Sequence, residues 1–344
     1  MTRVAAAAAA VVLAVAAHAG TRSAPPLERL VGQKIMTGID GAAPDAALLA
    51  RVRAGQVGGV ILFGRNTASA AQVTSTVAQL LAAANAGGNP PLLVATDQEG
   101  GLVKRLPGPP DVAPADMGSA AKARAEGAAT GAYLRGLGVD VDLAPVLDTP
   151  YGPSSWLGTR AFSRDPTVNA SLGPAFVAGL QSADVAATAK HFPGLGTAHA
   201  TTDTADVVLA SSKPALDARL APFRAAIDGG VDLVMVSNAG YTALDPTGAP
   251  AVISRPIVVG LLRKQLGFQG VVISDAMEAP GPSSRPAAPL TASAIGVDVL
   301  LYTSEATSEA AYTKLLAAAR SGFVPRSALV ASWNRIQALK QKLG

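Results

Sequence analysis

The sequence predicts an α/β fold: a (β/α)8 TIM barrel in a single domain, finished by a C-terminal amphipathic helix. Three observations carry that expectation. Eight short apolar runs recur along the chain, longer Ala-rich stretches of helical character separate them, and Gly32 to Ser321 gives room for the ~250 residues such barrels need. Near-continuous apolar runs suit strands buried on both faces, and the helices between them imply parallel pairing through right-handed crossovers.

The runs, in order, are GQKIMTGI from Gly32, VGGVILFG from Val57, PLLVATDQ from Pro91, VDVDLAPVLD from Val139, VAATAKHF from Val185, VDLVMVSN from Val231, GVVISDAM from Gly270 and VDVLLYTS from Val297. Helices are expected over Asp45 to Ala54, Ser69 to Ala84, Ala120 to Leu137, Pro166 to Ser182, Leu216 to Ile227, Arg255 to Leu266 and Ser308 to Ser321. An open doubly wound sheet is the alternative. It would call for a glycine-rich phosphate fingerprint after the first strand, and the glycines of GGVILFG are wrongly spaced for one. From Pro325 to Leu343 the apolar residues Leu329, Trp333, Ile336 and Leu339 fall at helical spacing, which places this last helix against the barrel wall. The Pro-rich segment EAPGPSSRPAAPL from Glu278 reads as an irregular loop at the rim.

Residues 1–19 hold one basic residue, Arg3, an apolar stretch from Val4 to Ala17, and Ala17-His18-Ala19 before Gly20. That order of parts is a cleaved secretory signal, with an apolar run short of the ~20 residues that span a bilayer. The expected organisation is a signal peptide over 1–19, an N-terminal segment over 20–30 and the barrel over 31–344. A secreted product, extracellular or associated with the cell wall, follows, with no stable membrane insertion after cleavage. The chain has no cysteine, so neither disulfides nor a lipidated thiol can hold it. Its net charge is +4 and only 15% of residues are charged, with no basic run or aromatic ladder, which argues against a nucleic-acid partner. A monomer is expected.

In such a barrel the chemistry lies at the C-terminal strand ends. Those ends carry Asp97 with Glu99 and Arg105, then Asp148, then Lys190 with His191, then Asn238, then Asp275. Asp148, before Thr149 and Pro150, reads as a turn former, as does Asn238. Asp142, well inside its run, reads as a hydrogen-bonded core residue. Asp275 ends a fully apolar strand, where an ionised carboxylate needs facing cations such as Lys190, Arg105 and Arg160. There it is a nucleophile, an electrostatic partner or half of a structural ion pair.

Five stretches, GGVILFGRN from Gly58, ATDQEGGLVKRL from Ala95, LGTRAFSRDP from Leu157, KHFPGLG from Lys190 and LLRKQLGFQGVVISD from Leu261, together resemble glycoside hydrolase family 3, in its single-domain β-N-acetylhexosaminidase branch. The resemblance implies a retaining exo-hydrolase of β-N-acetylglucosaminides, exported by the signal above, acting on GlcNAc-containing glycans such as peptidoglycan fragments. It implies no metal and no organic cofactor. Asp275 would be the nucleophile, and Asp97, Arg105, Arg160, Lys190 and His191 would hold the terminal sugar. A β-glucosidase-like or phosphate-using relative, or a noncatalytic glycan-binding protein, are the alternatives.

The sequence departs from the branch in one loop. The branch pattern resembles KHFPGHG followed by Asp-Ser-His, whose histidine is the acid/base. Here Leu195 replaces the first histidine, the loop reads Asp203-Thr204-Ala205, and Asn238 stands where a further histidine is usual. Asp203 is therefore one candidate acid/base and His199 the other, and a weak hydrolase or a binder remains as a third reading.

Overall fold

A computed structural model describes residues 25–152 and 155–344, so the expected signal over 1–19 lies outside the described residues. Eight strands form the wall: β1 Ile35–Gly38, β2 Gly59–Leu62, β3 Leu93–Thr96, β4 Val141–Asp142, β5 Ala186–Phe192, β6 Leu233–Val236, β7 Val271–Ser274 and β8 Leu300–Tyr302. Each falls inside one of the eight apolar runs. Their order is β7-β6-β5-β4-β3-β2-β1-β8, every neighbouring pair parallel. β1 meets β8 with Ile35 opposite Leu300. At the remaining seam Ile273 bridges Val299 in parallel and the Asp298 amide donates to the Val272 carbonyl at 2.7 Å, so the ring is nearly closed.

Strand side chains alternate between two apolar clusters, as a period of two requires. Val60, Val94, Val234 and Val272 join the layer between wall and helices, while Ile61, Leu93, Leu233 and Ile273 fill the barrel's inside. Helices start where the sequence supplies a cap: Asp45, Ser69, Ser119, Asp165 and Ser304 each accept a backbone N–H of the first turn.

Two expectations are corrected and a third is extended. The single helix over Leu216 to Ile227 is two, Lys213–Arg219 and Ala221–Asp228, because Pro222 has no N–H to continue the ladder and instead sits in the first turn of the second. The Pro-rich segment from Glu278 is not an irregular loop: it forms helices Pro280–Ser283 and Ala288–Ile295, with prolines in first turns where the missing donor costs nothing. The final helix, Arg326–Leu343, does more than pack on the outer layer through Leu329 and Trp333. Its Ile336, Leu339 and Leu343 join the cluster inside the barrel, and Lys340 Nζ donates to Gln33 Oε1 at 2.6 Å and the Gly58 carbonyl at 3.1 Å, just before β1 and β2. The helix thus forms the barrel's floor, at the end opposite the site. Among the described residues no helix is long and apolar enough to cross a membrane.

Candidate active site

The segment after β3 builds the first wall. Gln98–Gly100 and Val103–Lys104 form a short antiparallel hairpin whose turn uses left-handed backbone at Gly100 and Gly101 (φ 95° and 61°). A Cβ on Gly101 would lie 2.6 Å from the Ala113 Cβ, so glycine is required there on two counts. Buried Gln98 holds the returning strand, donating to the Leu106 and Pro109 carbonyls at 3.0 and 2.8 Å and accepting the Leu106 N–H at 3.0 Å. Arg105 is thereby brought back beside Asp97, its amide 3.3 Å from the Asp97 carbonyl.

Two acids and three cations meet here. Lys190, in β5, places Nζ 2.9 Å from Asp97 Oδ1 and 2.6 Å from Glu99 Oε1. Arg160 grips Glu99 through two N–H···O bonds of 2.8 Å each, and Arg105 reaches Asp97 at 3.5 Å. Burial pushes the Asp97 and Glu99 carboxyls up, but Lys190 leads the cations that outweigh it and hold both below the usual range. Burial likewise works against the Lys190 charge, and Asp97 and Glu99 more than restore it. The cluster therefore stays ionised, a rigid set of paired charges suited to hydroxyl groups that both accept and donate.

Beneath it, Asp142 accepts the Gln98 N–H at 2.9 Å while its second oxygen, also buried, has no partner. Burial pushes its pKa up to about 8, so at neutral pH this carboxyl is mostly protonated. It is the hydrogen-bonded core residue expected.

Asp148 is not simply a turn former. It is fully buried and accepts three donors from the β5 end: His191 Nδ1 at 2.7 Å, the His191 amide, and the Leu195 amide at 2.6 Å. The ring contact and the two amides hold imidazole and carboxyl against each other and so set the ring's orientation. Asn238 is also no free turn residue: buried, it donates from Nδ2 to the Ala276 carbonyl at 2.7 Å and so braces the backbone next to Asp275.

Asp275 follows β7 and accepts the Ala276 N–H at 2.7 Å. Burial raises its pKa, His191 and Lys190 oppose the rise, and the charge of Asp203 adds to it. Asp275 and Asp203 share one site. They line a single cavity of about 260 Å³ together with Asp97, Arg105, Arg160, Lys190 and His191, so every residue expected to hold the sugar is brought to one place. Leu195 lines it too, an apolar wall where the branch pattern has histidine. His199 is exposed and does not line it.

Sequence reading placed Glu99 among the charged strand ends without giving it a role, and it missed Phe63 and Trp156. Glu99 is the hub of the ion cluster, and the signal was its place two residues after Asp97 in an extended segment, which puts both on one face. Phe63 and Trp156 line the cavity, with the Arg105 and Arg160 guanidinium groups 5.9 and 5.7 Å from their ring centroids. Only contacts between distant loops reveal them. Among the described residues no group of three or more acidic or histidine side chains is placed to hold a metal ion.

Comparison with known proteins agrees with this geometry. Residues 27–339 match the glycosyl hydrolase family 3 N-terminal domain. A protein of Nitrosomonas eutropha named beta-hexosaminidase is 40% identical over 233 residues, covering 64% of this chain and 65% of its own length. A protein of Arthroderma benhamiae described as an uncharacterized secreted glycosyl hydrolase is 34% identical over 328 residues, 91% of this chain and 92% of that one. The structure of a family 3 β-N-acetylglucosaminidase from a Paenibacillus species superposes with a TM-score of 0.89 at 35% identity, over 93% of this chain and 63% of that one. The chain thus spans a little under two thirds of the first and third of these relatives. With the model match running over nearly the whole described chain, the protein belongs to glycoside hydrolase family 3.

Proposed function

We propose that the protein is a retaining exo-β-N-acetylhexosaminidase in which Asp275 is the nucleophile and Asp203 the acid/base. The observation that carries this reading is one cavity lined by both carboxylates and by the ion cluster. About 260 Å³ lies below the ~300–1,000 Å³ of drug-sized ligand sites, a space for one terminal sugar rather than a chain. Asp97, Arg105, Arg160, Lys190 and His191 bind that ring by its hydroxyl groups and set the anomeric carbon over Asp275.

An Asp275 oxygen attacks the anomeric carbon as the bond to the glycosidic oxygen breaks, and Asp203 gives its proton to the departing oxygen. The ionised Asp203 then takes a proton from water, whose oxygen attacks the anomeric carbon and releases Asp275. Of the two candidates for the proton, Asp203 is favoured by lining the cavity and His199 is disfavoured by lying outside it. The N-acetyl preference rests on the names of the Nitrosomonas and Paenibacillus relatives, and export through residues 1–19 is supported by the Arthroderma protein's description as secreted. GlcNAc-terminated fragments such as those of peptidoglycan are the proposed natural substrates.

The test is hydrolysis of nitrophenyl β-N-acetylglucosaminide against nitrophenyl β-glucoside by the purified protein. Faster release from the N-acetyl substrate is expected. Faster release from the glucoside would overturn the sugar assignment, and binding of N-acetylglucosamine without turnover of either substrate would show a noncatalytic binder.

A further inference from the structure

Among the described residues, the side chain of Asp203 has no hydrogen bond or ion pair outside its own loop. Its carboxylate accepts the Thr201 hydroxyl at 2.9 Å and its amide donates back to the same oxygen at 3.2 Å, two residues away. The place of Asp203 over the cavity must therefore come from how the loop as a whole is anchored. Upstream, Thr197 Oγ1 meets Ser211 Oγ at 3.0 Å, which ties the loop to itself. Downstream, Val208–Leu209 pairs in parallel with Gly240–Tyr241 after β6, and Asp206 Oδ2 lies 3.2 Å from Arg285 Nη1.

Arg285 belongs to the loop that follows the nucleophile. Nη1 also donates to the Gly281 carbonyl and to Ser284 Oγ at 3.0 Å, so the guanidinium is pinned to that loop before it meets Asp206. Close approach is permitted by Gly281, where a Cβ would sit 2.6 Å from the Asn238 carbonyl oxygen and 3.4 Å from Asp206 Oδ1. Asn238 in turn holds the Ala276 carbonyl, one residue beyond Asp275. The loops after β5, β6 and β7 are thus drawn together around the nucleophile, and among the described residues the Asp206–Arg285 pair is the charged contact between the loop of Asp203 and the loop of Asp275.

We propose that Arg285 and Asp206 are positioning residues that set where Asp203 stands relative to Asp275, an inference that rests on Asp203 as the proton donor. The pair is exposed by 36% and 40%, so its contribution to overall stability is small and its effect is read in the reaction. A displaced donor costs most when the departing oxygen is basic, because acid assistance is worth roughly 10²- to 10⁴-fold there and little for a nitrophenolate.

The experiment is the ratio of kcat/KM for a GlcNAc disaccharide to that for the nitrophenyl glycoside, in Arg285→Met, Asp206→Asn, Asp203→Ala and the charge swap Asp206→Arg with Arg285→Asp. Each single variant of the pair is expected to lower the ratio about fivefold or more, with recovery in the swap and no further loss when Arg285→Met is added to Asp203→Ala. An unchanged ratio in both Arg285→Met and Asp206→Asn overturns the positioning role while leaving Asp203 as donor. The same loss from Arg285→Met with and without Asp203 overturns it too, since the pair would then act elsewhere. If Asp203→Ala itself leaves the ratio intact, the donor assignment falls and the positioning role falls with it. Thermal unfolding of Asp206→Asn alongside Arg285→Met separates a misfolded variant from a misplaced loop.

Discussion

Arg160 and Glu99 face each other as two planar groups, joined by parallel N–H···O bonds of 2.8 Å, with Glu99 wholly buried and shared with Lys190 at 2.6 Å. Sharing one carboxylate between Lys190 in β5 and Arg160 in the turn Gly158–Arg160 fixes both cations, so the groups proposed to bind the sugar are set before any sugar arrives.

Glu99→Gln keeps the shape and removes the charge, leaving Arg160 and Lys190 short of a partner in a buried setting. We expect a loss of about 3 kcal/mol in stability, in the range for breaking a buried pair, and a raised KM. Arg105→Ala, whose contact with Asp97 is longer at 3.5 Å and whose side chain is 35% exposed, should cost under about 1 kcal/mol. Urea unfolding of the two variants checks the contrast, and equal losses would show that Glu99 is not the hub.

Asp275→Asn should lower kcat by at least a hundredfold with unfolding unchanged, since a lost nucleophile raises the barrier by far more than the ~1.4 kcal/mol of each tenfold step. Because burial raises the carboxyl's pKa, the wild-type kcat/KM should fall on acidification above the ordinary aspartate value of about 3.9. A low-pH limb at or below that value would count against Asp275 as the group that must be ionised.

His199→Ala should leave the disaccharide and nitrophenyl rates within twofold of wild type, because the ring is exposed and lies off the cavity. A loss confined to the disaccharide would return His199 to the role of donor.

The eight strands were legible because burial on both faces writes a near-continuous apolar run, and the charged strand ends because ionised groups beside such runs stand out. The role of Asp148 was not legible. It depends on His191, 43 positions away, and the local Thr-Pro setting gives the same signal as a turn. The floor helix was found as a helix but not as a floor, since helical spacing shows which face is apolar and not what it meets. Asp203 could be named from the missing histidine, while the arm that steadies its loop, Arg285, lies in a Pro-rich stretch with no motif around it.

Lys340 and Lys34 carry a pH effect. Burial lowers their pKa values to about 7 and about 8, against about 10.4 for an unfolded lysine. Between those values the unfolded chain binds protons that the folded one does not, so stability from these groups rises with pH above about 7. The urea midpoint of wild type should therefore gain on that of Lys340→Met between pH 6.5 and 9.5. A constant difference would mean that Lys340 titrates normally.

The first wall strand pairs with the last, Ile35 opposite Leu300, and the floor is laid by Ile336 to Leu343. Until β8 has been made, β1 lacks its second neighbour and leaves one edge of backbone N–H and C=O groups open to pairing by any passing strand. A chain that still lacks β8 and the floor helix therefore stands more in need of protection from aggregation than the closed barrel does.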